Sequence, residues 1–139
     1  MQTSRHFRLS AMLLSLALSA CAGATPKPAP RVFFTSPANA ATVSSPVHVT
    51  LAVENFTVEP AGAVKAGAGH LHITVDAACA AAGAVITKDE THLHYGKGQL
   101  EADLELAPGQ HSLCLQAGDG AHTALSGDGL SQTITITVQ

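Results

Sequence analysis

Seven of the eight histidines, at positions 48, 70, 72, 92, 94, 111 and 122, lie beyond residue 30, and four of them form two His-x-His pairs. On a β-strand, residues i and i+2 point to the same side about 6.6 Å apart. Two imidazoles so placed can converge on one ion at a Zn–N distance of roughly 2.0–2.1 Å. In 70–76, Leu71, Ile73 and Val75 make an apolar face, while His70, His72, Thr74 and Asp76 occupy the other. In 92–95, His92 and His94 oppose Leu93 and Tyr95. Both pairs are therefore expected to point away from the core, and neighbouring strands would gather four imidazoles on one outward patch. Such a patch is a metal site or a pH-sensitive surface.

Neutral imidazole suits copper(II), zinc, nickel and iron. The two methionines, Met1 and Met12, fall in a segment read below as removed on export, which excludes a thioether-based copper(I) site. Copper(II) binds nitrogen donors more tightly than zinc, so copper(II) is expected first and zinc second. His111 shares a face with Leu113 and Leu115 and reads equally as a ligand or as a hydrogen-bonded residue at the core edge. His122 lies in the glycine-rich stretch 118–129 near Asp119, and both are candidate additional or outer-sphere groups. His48 falls on the polar side of its segment and reads as a surface residue.

No catalytic residue is assigned. The chain has no Gly-x-Ser-x-Gly, and no serine or cysteine pairs with a base at a readable spacing. Asp89 and Glu90 would point to opposite sides of a strand. Two rivals to metal binding remain: a structural or protein-interaction module with its histidines in interstrand hydrogen bonds, and a metalloenzyme with three histidines and an open coordination position.

The elements that must position these residues are strands. In 47–54, Val47, Val49, Leu51 and Val53 alternate with His48, Thr50, Ala52 and Glu54; in 99–106, Leu100, Ala102, Leu104 and Leu106 alternate with Gln99, Glu101, Asp103 and Glu105. Segments 32–35, 70–76, 92–95, 111–115 and the run from 130 to the end bring the number to about seven. Turn-forming residues at 36–39, 60–69, 96–98 and 107–109 separate them. No stretch of the domain shows convincing helical spacing. The expected fold is all-β, an antiparallel immunoglobulin-like β-sandwich, with a small barrel as the alternative.

The N-terminus bears on location. Arg5, His6 and Arg8 followed by the apolar run 9–18 read as a signal peptide over 1–20, too short for the roughly 20 residues of a membrane span. The small residues leading into Cys21 resemble the lipobox of bacterial lipoproteins, which implies that Cys21 is acylated and becomes the new N-terminus. Ala22, rather than an acidic residue, then favours an outer-membrane anchor facing the periplasm. Three prolines in 22–30 read as a tether of roughly 30 Å, leaving 31–139 as the domain. Removing Arg5 and Arg8 from the seven Lys/Arg leaves five basic against ten acidic residues, which excludes nucleic acid and a polybasic membrane face as partners. Cys79 and Cys114 remain as an even pair in an oxidising compartment, so a disulfide is expected. A thiolate metal ligand or redox pair is the alternative, without a Cys-x-x-Cys context to support it.

Taken together, Gly69 to Asp76, His92 to Gln99, Pro108 to Leu113, and Gly118 and Asp119 with His122 resemble the bacterial envelope family catalogued as domain of unknown function 4399, over about residues 32–139. The His-x-His-aromatic-Gly-Lys-Gly-Gln block is its most specific part. The resemblance implies an exported, compact β domain and these histidines as its site; it implies no settled activity. The family typically has Gly-His-His-His where this chain has Gly69, His70, Leu71 and His72, and often a second histidine shortly after the position of His122. Leu71 is expected to face the core, so that departure leaves the site intact, whereas the missing loop histidine lowers affinity or opens a coordination position.

Overall fold

A computed structural model describes residues 26–139; the predicted signal segment and Cys21 lie outside the described residues. Nine strands follow one another: β1 (Arg31–Ser36), β2 (Thr42–Val43), β3 (Val47–Glu54), β4 (Thr57–Val58), β5 (Ala68–Val75), β6 (His92–Tyr95), β7 (Glu101–Leu104), β8 (Gly109–Gly118) and β9 (Ser131–Val138). There is no helix among the described residues. One sheet has the order β1-β3-β7; the other runs β2-β9-β8-β5-β4, with β6 also paired to β5. All ladders are antiparallel except the two-residue pairings β2–β9 and β4–β5.

The fold is thus an all-β sandwich of immunoglobulin-like type. β1, β3 and β7 take the places of strands A, B and E, and β5, β8 and β9 those of C, F and G. The core lies between the sheets: Val32, Phe34, Val49, Leu51 and Leu104 on one side, Leu71, Ile73, Leu113, Leu115, Ile134 and Ile136 on the other. Strand limits differ from the alternation in two places. The segment expected at 111–115 extends over Gly109–Gly118, because β9 and β5 pair along its two edges. The segment expected at 99–106 forms a strand over Glu101–Leu104; Leu100 O still accepts from Leu51 N at 2.8 Å, but the Leu100 side chain is exposed.

One expectation is overturned. His70, His72 and Thr74 do leave the core side of β5, yet they do not reach solvent: His70 is 0% and His72 2% exposed. The outer face of β5 and β8 carries a third layer, made of the chain between β5 and β6 and the loop after β8. Four ties hold it. Cys79 and Cys114 form a disulfide with a Cα–Cα distance of 5.6 Å. The Gln116 side chain accepts from Ala80 N at 3.0 Å and donates to Ala80 O at 2.8 Å. The Gly83 and Ala124 amides donate to Ala124 O and Ala84 O, both at 2.8 Å. The Ile86 amide donates to His122 O at 2.8 Å, and the Ile86 side chain is buried. The covering segment is rich in alanine and glycine and has no hydrophobic period, so its burial of the sheet had no signature in the pattern of apolar residues.

Candidate metal centre

Register brings the histidines together. On β5 and β6, His72 lies opposite His94 and Thr74 opposite His92. On the other edge of β5, His70 lies opposite Gly118, the last residue of β8. The chain leaving β8 therefore starts beside His70, and four residues later it delivers His122. The ring centroids of His70, His72, His94 and His122 are all 4.6–5.9 Å apart. One ring nitrogen from each of His70, His94 and His122 lies within 4.8 Å of the others, and His94 Nε2 is 3.0 Å from His122 Nε2.

The loop that carries His122 is built for the purpose by Asp119. Its Oδ1 accepts from the amides of Ala121 and Thr123, both at 2.8 Å, and its carbonyl accepts from His122 N at 3.0 Å. This turn holds His122 at φ 67°, a left-handed conformation uncommon for a residue with a side chain. Asp119 thus positions His122 through the backbone and is not among the residues whose donor atoms converge.

Glycines make the space. A Cβ at Gly96 would overlap the His94 ring, and one at Gly118 would stand 2.9 Å from His72 Nε2. Gly96 reads from sequence as part of a tight turn, and its position two residues after His94 is the only signal of its second role. The 60–67 loop braces the same end, with Ala61 N donating to Gly96 O and Gly62 N to Gly120 O, both at 2.9 Å.

The electrostatics of the cluster are unusual for buried polar groups. None of the four ring nitrogens of His70 and His72 has a hydrogen-bond partner among the described residues. Buried polar atoms are rarely left so, since each costs about 1–3 kcal/mol. Burial, with His94 and His122 beside it, holds the His70 imidazole down at about 4, with Asp119 opposing. Burial and the neighbouring histidines hold His72 at about 3. His94 is also lowered, by burial, His122 and Lys88. These rings are neutral at physiological pH and offer lone pairs to whatever lies between them, the state in which imidazole ligates a metal.

The other three histidines among the described residues contrast with these. His48 Nδ1 meets Asp103 Oδ1 at 2.8 Å on the β1-β3-β7 sheet, with its ring exposed. His92 Nδ1 meets Asp89 at 2.8 Å. His111 bonds Asp76 Oδ2 through Nδ1 and Ala107 O through Nε2, each at 2.8 Å. Those bonds, Ala107 first and then Asp76, raise its pKa and make it a clamp between β8 and its neighbours. The structure therefore places His92 and His111, both candidates from the sequence, outside the converging group. His92 lies one pleat too far along β6, where Asp89 takes its ring. Cys79 and Cys114, joined to each other, offer no thiolate.

No curated protein and no solved structure matches the chain. A family model does, over residues 49–139, spanning every strand that bears a histidine of the cluster and the loop of His122. The chain belongs to the family described as Domain of unknown function (DUF4399).

Proposed function

We propose that this protein binds a transition-metal ion, copper or zinc, through His70, His72, His94 and His122. The observation that carries the reading is the set of four buried, unpartnered ring nitrogens on His70 and His72 inside a ring of imidazoles. A bound ion would take one ring nitrogen from each histidine, with the donor atoms of His70, His94 and His122 already within 4.8 Å of one another and His72, whose ring centroid lies 4.7 Å from that of His70, as the proposed fourth donor. The lipobox-like Cys21 adds location: a lipid-anchored domain handling metal in the cell envelope. Interstrand hydrogen bonding as the purpose of these histidines fits poorly, because His70 and His72 make no side-chain bond among the described residues.

Isothermal titration of the purified protein with copper and with zinc tests the reading. The expected result is one ion per chain, with affinity reduced at least 100-fold in His94→Ala. Absence of binding, or an unaltered isotherm in the variant, overturns it.

A further inference from the structure

Resting on that metal-binding reading, we propose that the four-histidine site selects monovalent copper over divalent copper. Its donor set is uncharged: the converging group contains histidines alone, with no carboxylate, and both cysteines of the domain are spent in the disulfide. Its inner half is buried: His70 and His72 are 0% and 2% exposed, with Gly118 and Ile86 beside His72, while His94 and His122 close the outer half and are themselves half-buried.

The desolvation cost of an ion grows with the square of its charge, so a divalent ion entering such a site loses about four times the hydration of a monovalent one. Fixed charges nearby do not restore the balance. Asp119 acts on His70 and Lys88 acts on His94, with opposite signs. A divalent ion therefore keeps two uncompensated charges where a cuprous ion keeps one. Imidazole nitrogen suits copper, and in this setting the desolvation difference outweighs the stronger attraction of a divalent ion to the same neutral donors. The ranking of copper(II) above zinc concerns divalent ions against one another. Burial adds a penalty common to both that the expected outward patch would not have imposed.

Two competition titrations on the full mature protein test this. One measures Cu(I) under ascorbate against bathocuproine disulfonate, the other Cu(II) in air against nitrilotriacetate, each repeated with His94→Ala. We expect Cu(I) to bind at least tenfold more tightly, which raises the one-electron couple of the bound ion by at least about 59 mV over the aqueous one. A smaller ratio, or a cupric preference, with both ions still lost in His94→Ala, overturns the selectivity and leaves the metal site standing. Failure of both ions to bind, or binding indifferent to His94→Ala, removes the site and the selectivity together.

Discussion

His94 Nε2 and His122 Nε2 lie 3.0 Å apart although 28 residues separate them in the chain. At that distance one ring nitrogen donates a hydrogen bond and the other accepts it. In a tetrahedral shell with bonds of 2.0–2.1 Å, neighbouring nitrogens stand about 3.3 Å apart. For this pair, admitting an ion thus asks for a movement of a few tenths of an ångström, whereas donor atoms of the group as far apart as 4.8 Å must draw in further. Two independent devices produce the approach: the β5–β6 register and the Asp119 turn.

If an ion binds the folded protein and not the unfolded chain, it stabilises the fold by mass action. At a free concentration 100 times Kd the gain is about 2.7 kcal/mol, or roughly 10 °C in melting temperature for a domain of this size. Calorimetric melts with metal and then with excess chelator should show the rise and its reversal. A melting temperature indifferent to both contradicts the site.

Gly96→Ala places a methyl group in the volume of the His94 ring. The ring must leave its position, and metal affinity should fall about 10- to 100-fold, the range seen when the surroundings of a ligand are disturbed. Gly98→Ala provides the comparison: its Cβ would find Val58 at 3.6 Å and no histidine, although its φ of 80° makes the change strained. Competition titration of both variants, beside circular dichroism, separates the two effects. Equal affinities would mean that Gly96 serves the turn alone.

Removing the disulfide by Cys79→Ser with Cys114→Ser opens a loop of 35 residues. The chain-entropy relation gives a loss of roughly 3–4 kcal/mol, measured by urea unfolding. Because the same bond pins the covering layer to β8, metal dissociation should also accelerate. A stability loss with an unchanged dissociation rate would show that Gln116 and the Ala84–Ala124 backbone bonds suffice to hold the cover.

Acid should destabilise the metal-free protein. His70 and His72 are held at about 4 and about 3 in the fold, against an ordinary value of 6.5. Between these limits the unfolded chain binds more protons, so stability falls as pH drops below about 6.5 and levels off only near 3. From pH 7.5 to 5 the loss for the two is on the order of 4 kcal/mol. His111 has the opposite sign: its raised pKa gives a contribution complete below 6.5 and lost as pH rises through the folded value. Urea midpoints across this range check the sum, and a higher midpoint at pH 5 than at 7.5 would contradict the burial of a neutral pair.

Histidines held by aspartate should be separable from those of the cluster. His48→Ala, on the exposed face of the other sheet, should leave both stability and metal stoichiometry unchanged. His111→Ala should leave the stoichiometry alone yet cost about 2 kcal/mol, since it removes the hydrogen bonds to the Asp76 carboxylate and the Ala107 carbonyl. A change of stoichiometry in either variant would place a ligand outside the four.

Alternation by itself determined which side of β5 each residue takes: Leu71 and Ile73 to the core, His70 and His72 to the other face. It also determined that His92 and His94 share a side and that Cys79 and Cys114 form an even pair, because these follow from the two-residue period and from composition. Tertiary structure alone decided which imidazoles meet. His94 is included and His92 left to Asp89 by a register that sequence does not state, and His122 is recruited because β8 ends beside His70. Burial of the pair was decided in the same way. The side chains that cover it are small and aperiodic, so nothing in their order announces a layer; the covering is specified by a disulfide, a glutamine and backbone hydrogen bonds between segments about 40 residues apart.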